Sequence, residues 1–340
     1  MDSYNIFIPS IGRRVELINC FKNAARQMKI RSIIVGGDCD ITAPALYFTD
    51  KNYQMPIISS SSYIDSIIEV CNQNEIAIII PTIDSELLCL SKNIAEIESL
   101  TKAKVLISDE RVIETCHDKN NTQRFFEAND FKVPHMYTED EIDNSQELSY
   151  PLFIKPQNGS SSIDAFKVNS PHELNAYRAL IQNPIVQDFL VGEEFSVDCF
   201  SDFDCNIISI VPRLRIATRS GEISKGRIIK DREIIDEVKR LLTVLKPIGP
   251  VTVQCFKSQR GIDFIEINPR FGGGAPMSMK AGADSCKNLY RLLMGERLEY
   301  NEEYTDRLLF LRFDSSMCLN EKMEVLEPLV YAPSWRERNT

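Results

Sequence analysis

The sequence predicts two fold classes in series: a parallel α/β domain over residues 1–115, then an α+β region over residues 116–310 built on a mostly antiparallel sheet. Two patterns point there. The first 115 residues alternate short apolar runs with helical periodicities, the signature of strand–helix–strand units covered on both faces. Beyond them, apolar runs follow one another in hairpin-like succession, with one long amphipathic helix to cover the sheet. At 340 residues the chain is long enough for two or three domains and a sizeable core.

In the first region, strands are expected over 5–9, 32–36, 77–81 and 105–108, with helices near 15–28, 63–72 and 86–97. Ligands of such sheets approach the carboxyl ends of the strands. The segment Ser10-Ile11-Gly12-Arg13-Arg14 follows the first strand but lacks the Gly-x-Gly-x-x-Gly spacing, which argues against a dinucleotide site. Asp38 and Asp84 both follow predicted strands, and each reads either as a turn or helix cap or as part of an acceptor-substrate site.

Asp118 is placed as the N-cap of a helix running to about residue 128, after which Val133-Pro134 begins an extended passage. A strand over 152–156, a loop over 157–162 and a strand over 165–168 form a hairpin-like unit, followed by a helix over 172–181 and a strand over 184–189. Strands over 195–203, 206–211, 251–256 and 263–267 make a second sheet, covered by a helix over 231–245.

The segment Asp263-Phe264-Ile265-Glu266-Ile267-Asn268-Pro269-Arg270 carries the most chemistry. Side chains alternate faces along a strand, so Glu266, Asn268 and Arg270 should share one face at about 6–7 Å spacing, leaving Phe264, Ile265 and Ile267 for packing. A carboxylate and an amide offer oxygen ligands of the kind Mg²⁺ takes, with waters and substrate phosphates filling its octahedron. Arg270 can clamp a phosphoryl group in two-pronged fashion. Lys155 ends a predicted buried strand, where an unpaired ammonium is costly, so an anion is expected beside it, either a ligand or a carboxylate partner.

Four ordered stretches resemble the ATP-grasp superfamily, in its carbamoyl-phosphate synthetase-like branch: Asp118-Lys119; Phe153-Ile154-Lys155-Pro156-Gln157-Asn158-Gly159-Ser160-Ser161-Ser162; Val186-Gln187-Asp188-Phe189-Leu190-Val191-Gly192-Glu193-Glu194; and the strand carrying Glu266. They span roughly residues 116 to 285. The resemblance implies a pre-ATP-grasp domain over 1–115, an ATP-grasp domain over 116–310 with lobes of about 116–190 and 191–310, and a C-terminal extension over 311–340. It also implies ATP with Mg²⁺ or Mn²⁺. Lys155 and Lys119 would contact phosphates, and Gly159, Ser160, Ser161 and Ser162 would cover them. Gln187, Asp188, Phe189 and Leu190 would form the adenine-binding hinge, with main-chain groups of Asp188 and Leu190 making the bonds, and Glu194 would hold the ribose. Gln254, Glu266 and Asn268 would hold the metal, with Glu266, Asn268 and Arg270 as the catalytic set.

The net charge of −10 argues against general affinity for nucleic acid or an anionic membrane. Within this acidic chain a basic stretch contains Arg213, Arg215, Arg219 and Lys225, which either forms a solvated face or receives the carboxylate substrate. The ten scattered cysteines show no zinc spacing and suit a reducing compartment. With no basic leader and no apolar run near 18 residues, a cytoplasmic protein is expected. The three histidines and the lack of a Ser-His-Asp or Cys-His set leave catalysis to positioning and charge stabilisation during phosphoryl transfer. The expected activity is an ADP-forming ligase that phosphorylates a carboxylate and joins the acyl phosphate to an amine. A carbamoyl-phosphate synthetase-like homologue acting on bicarbonate, a small-molecule kinase and a non-catalytic ATP-binding subunit are the other readings. The tail with Trp335 either packs on the body or serves a homodimer.

Overall fold

A computed structural model of the chain describes residues 3–143, 148–157 and 163–326. Five parallel strands, Asn5–Ile8, Ile34–Asp38, Lys51–Gln54, Ile76–Ile79 and Lys104–Val105, form the N-terminal sheet in the spatial order third, second, first, fourth, fifth. Its central strands read as continuous apolar runs because both faces are covered: Ile6, Phe7, Ile8, Ile78 and Ile79 are all fully buried. The helix Val15–Met28 buries Leu17, Ile18, Phe21, Ala24 and Ala25, one stripe at helical spacing. The chain runs outward from the first strand to the third, then returns to lay the fourth on the first strand's free side. The topological switch point therefore lies between Asn5–Ile8 and Ile76–Ile79.

Two elements depart from the sequence reading here. The third strand, Lys51–Gln54, is an exposed polar edge that carries no hydrophobic alternation to reveal it. The helix expected over 86–97 is two helices, Asp84–Lys92 and Ile94–Leu100. Asn93 separates them: its side-chain amide donates to the Cys89 carbonyl at 2.8 Å, a local bond that competes with the helical ladder.

The hairpin unit belongs to a four-stranded antiparallel sheet ordered Met136–Tyr137, Pro184–Asp188, Leu152–Pro156, Phe166–Val168, backed by the helix Pro171–Leu180. A six-stranded antiparallel sheet follows, ordered Gly261–Asn268, Gly249–Ser258, Glu193–Ser201, Ile207–Arg219, Glu222–Ile228, Leu309–Leu311. One face of this sheet, with Phe195, Val197, Val253 and Ile267, packs on the helix Arg232–Leu245, which buries Ile234, Ile235, Val238, Leu241, Leu242 and Leu245. The basic stretch proves to be the long hairpin of Ile207–Arg219 with Glu222–Ile228, of which the sequence reading had placed only the first few residues in a strand. The fold is thus a parallel α/β domain followed by α+β lobes with a cleft between their sheets. No helix of the described residues is long and apolar enough to cross a membrane.

Candidate active site

The polar face of the six-stranded sheet is set by register. Glu266, Gln254, Ser196 and Arg213 stand in one row across four strands, and Asn268, Thr252 and Asp198 in the next. The facing wall comes from the four-stranded sheet. Between them lies a cleft of about 240 Å³, lined on one side by Phe153, Lys155, Gln187, Asp188, Phe189 and Leu190 and on the other by Glu194, Arg215, Thr218, Gln254, Phe256, Ile265 and Glu266, with Lys119 at one end.

The structure therefore gathers in one place Lys119, Lys155, Gln187, Asp188, Phe189, Leu190, Glu194, Gln254 and Glu266, all named from the sequence. The candidate phosphate-covering residues Gly159, Ser160, Ser161 and Ser162 lie outside the described residues, as does Trp335.

Asp118 accounts for the local geometry at Lys119. Its Oδ1 accepts the backbone N–H groups of Asn120 and Asn121, capping the helix Lys119–Ala128, while Oδ2 accepts Gln157 Nε2 at 2.7 Å. Gln157 in turn presents its carbonyl to Lys119 Nζ at 3.1 Å. Burial holds the Lys119 pKa below its usual range, opposed by Glu266.

Lys155 is 8% exposed and makes no hydrogen bond or ion pair with any described residue. Burial pushes its pKa down to about 8, against the pull of Glu266, with Lys119 adding to the depression. The carboxylate partner allowed by the sequence is thus absent among the described residues. An ammonium left in this state offers a charge-assisted site for an anion.

Glu266 is the centre of the opposite wall. Its Oε1 accepts Gln254 Nε2 at 3.2 Å and Asn268 Nδ2 at 2.5 Å, while Asn268 Oδ1 accepts Arg270 Nη2 at 3.1 Å. Arg270 completes the line with a bidentate pair to Asp84, Nε to Oδ1 at 2.8 Å and Nη2 to Oδ2 at 2.5 Å. Arg270 and Asn268 thus lie beyond the cleft end, joined to the N-terminal domain. Asp84 is the first residue of its helix and pairs with Arg270 instead of capping. Asp38 serves as a turn residue, accepting the N–H groups of Gly12 and Asp40.

Several expectations need correction. Ile265 lines the cleft beside Glu266 and does not serve the core, because the register slips between Gln254 and Cys255: Gln254 faces Glu266, and Cys255 faces Phe264. This bulge leaves Ile265 unopposed and lets Phe264 and Ile267, three residues apart, pack into one core. The Asp188 N–H is already donated to the His135 carbonyl at 3.0 Å, so only its carbonyl is left as a main-chain contact.

The basic set separates. Arg213, 1% exposed, is locked to Asp198 through Nε and Nη2, both at 3.1 Å, and Asp198 also accepts the Ser278 hydroxyl. Arg215 lies in the cleft, 2.9 Å from Glu194, with Ser196 Oγ and the Gly221 carbonyl as further acceptors. Burial holds the Glu194 pKa up, and Arg215 opposes it. Arg219 pairs with Asp314 and Lys225 is exposed, so neither reaches the cleft. The sequence reading missed Ile265 because a bulge hides its facing, Phe256 although plain alternation from Gln254 turns it to the cleft, and Glu86 because nothing local marks a helical glutamate as buried.

The donor set fits a hard cation. Two amide side chains, Gln254 and Asn268, converge on one oxygen of the Glu266 carboxylate, and the Gln254 amide can present oxygen in place of nitrogen by rotating.

Comparison with known proteins agrees with this geometry. Residues 6–105 match the PylC-like N-terminal domain family, and residues 116–274 match the ATP-grasp domain family. The chain is 25% identical over 223 residues to the carbamoyl phosphate synthase large chain of Thermoanaerobacter sp. (strain X514), covering 59% of this chain and 21% of that one. It is 24% identical over 196 residues to D-alanine–D-alanine ligase B of Clostridium perfringens, covering 50% of this chain and 63% of the relative. The chain thus spans about a fifth of the first relative and less than two thirds of the second. The structure of N5-carboxyaminoimidazole synthetase from Staphylococcus aureus complexed with ADP shares the fold at a TM-score of 0.73 and 15% identity, covering 91% of this chain and 82% of that one. With its PylC-like N-terminal domain ahead of an ATP-grasp domain, the chain belongs to the ATP-grasp superfamily, on the side that resembles carbamoyl phosphate synthase large chains.

Proposed function

We propose that the chain is an ATP-dependent ligase that phosphorylates a carboxylate to an acyl phosphate and joins it to an amine, releasing ADP and phosphate. The observation that carries this reading is Lys155: a buried ammonium without a described partner, across a cleft from Glu266, needs an anion. A nucleotide supplies one. The superfamily relative from Staphylococcus aureus holds ADP, and its fold covers most of this chain.

In this reading Phe153, Phe189, Leu190, Phe256 and Ile265 enclose the base, and the Asp188 carbonyl and the Leu190 N–H make its main-chain contacts. Glu194, steadied by Arg215, takes the ribose. Lys155 and Lys119 hold phosphates. Gln254, Glu266 and Asn268 would hold Mg²⁺ or Mn²⁺, which when bound neutralises charge on the transferring phosphoryl group. Arg270 stabilises charge on the oxygens of that group as it moves to the carboxylate. No protein nucleophile is needed, because two bound substrates in line and a fixed set of charges suffice.

The test is to incubate the protein with ATP, Mg²⁺ and pools of amino acids and sugar acids, scoring ADP against AMP. ADP with phosphate is expected. AMP as the product, or no thermal shift across millimolar nucleotide where a ligand at about 100 times its Kd should add roughly 2.7 kcal/mol, would refute the reading.

A further inference from the structure

Among the described residues, Glu86 is the one carboxylate of the N-terminal domain that is 0% exposed. It stands in the first turn of the helix Asp84–Lys92, which follows the strand Ile76–Ile79. Its Oε1 accepts Ser10 Oγ at 2.8 Å and the Tyr63 hydroxyl, while its Oε2 is buried and makes no hydrogen bond of normal geometry with a described residue. Ser10 follows the strand Asn5–Ile8 and, unlike Glu86, is part-exposed. The pair thus sits at the carboxyl ends of the two strands that flank the topological switch point, where open α/β sheets receive ligands.

A short run of bonded residues leads from these strand ends towards Arg270. Thr82 Oγ1 donates to the Ser10 carbonyl at 2.7 Å, Arg14 Nη2 donates to the Thr82 carbonyl at 2.9 Å, and Asp84, two residues before Glu86, holds Arg270. A group bound at Ser10 would therefore border the residues that hold the transferring phosphoryl group.

Resting on the ligase reading above, we propose that the switch-point crevice holds the attacking amine and that Ser10, backed by Glu86, relays its proton away. As nitrogen attacks the acyl carbon, the C–N bond forms and the C–O bond to phosphate breaks, its electron pair leaving on phosphate. The proton on nitrogen passes to Ser10 Oγ while the proton of Ser10 moves to the Glu86 carboxylate. Ser10 is the group that touches substrate; Glu86 acts through it.

The surroundings suit a carboxylate that accepts and returns a proton near neutrality. Burial pushes the Glu86 carboxyl up to about 7, opposed by its bonds from Tyr63 and Ser10 and by the Thr82 backbone N–H, and reinforced by Asp38. Cys89 on the same helix is the other titratable neighbour, and burial raises its thiol first, with Glu86 adding to the shift. A relay works best with a pKa near the operating pH.

The test compares two nucleophiles, ammonia and hydroxylamine, in ADP release with the carboxylate pool. Hydroxylamine is a much weaker base, neutral near pH 7, and its adduct gives up a proton to water unaided. Glu86→Gln and Ser10→Ala should each lower the ratio of ammonia-supported to hydroxylamine-supported ADP release by about 10²-fold, the low end for general acid–base catalysis. Glu86→Asp should recover part of it. An unchanged ratio in Ser10→Ala, or equal loss with both nucleophiles in the folded variants, overturns the relay. Absence of ADP release with hydroxylamine in the unmodified protein overturns the ligase reading itself, and the relay with it.

Discussion

Replacing Lys155 with Met should make the empty protein more stable and blind it to nucleotide. The substitution keeps the length and apolar stem of the side chain while removing a buried ammonium that has no described partner. Depression of its pKa from 10.5 to about 8 corresponds to roughly 3 kcal/mol of cost in holding the charge. Because the folded pKa is lowered, that cost is fully present below about 8 and fades as pH rises from there towards 10.5. Lys155→Met should therefore raise the melting temperature of the apo protein at pH 7 by up to about 6 °C, at roughly 2 °C per kcal/mol for a large domain, and the gain should vanish above pH 10.5. Differential scanning fluorimetry with and without ATP and Mg²⁺ checks both halves. In the unmodified protein, ATP affinity should also weaken as pH rises past about 8, where the free ammonium loses its proton. A variant with an unchanged or lower apo melting temperature that still responds fully to ATP would refute the claim that Lys155 is an uncompensated phosphate contact.

Two further substitutions separate chemistry from architecture. Arg270→Ala should cut turnover by about 10²–10³, the scale of one preorganised transition-state donor, with a smaller effect on ATP binding; Arg270→Lys should recover little, since a point charge cannot fork onto Asp84 and a phosphoryl group. Steady-state kinetics beside a nucleotide-binding measurement decides this, and near-normal turnover in folded Arg270→Ala refutes it. Arg213→Met should cost about 3–5 kcal/mol in denaturant unfolding by leaving Asp198 buried and unpaired, and adding Asp198→Leu should restore most of it; a selective loss of substrate affinity at normal stability would return Arg213 to the substrate site.

What the sequence disclosed follows from the range of the interactions involved. The Asp118 cap, the buried strand carrying Lys155 and the alternation of Glu266 with Asn268 are patterns over a few residues, and each is found in its place. Facing across sheets was harder. Arg213 and Arg215 share one strand face, yet Asp198 takes the first into the interior while Glu194 keeps the second in the cleft, a difference set by the neighbouring strand. Likewise the bond between Arg270 and Asp84 joins residues 186 positions apart, so no window of sequence could pair them. Glu86 carries no local sign of burial, since its partners Ser10 and Tyr63 come from two other segments.

Under the ligase reading, the slip at Ile265 makes base selectivity separable from phosphate chemistry. Since Gln254 faces Glu266 and Cys255 faces Phe264, Ile265 is a residue added to the strand without an opposite number. Removing it would leave a regular ladder in which Glu266 still meets Gln254 and Asn268 still meets Thr252, while the cleft loses one apolar side chain. The extra residue is thus an insertion that, under the ligase reading, would furnish the base side and leave the metal and phosphate side in register. If the base packs there, position 265 can be varied without disturbing the carboxylate next to it, and a library at that single position offers a route to altered nucleotide preference.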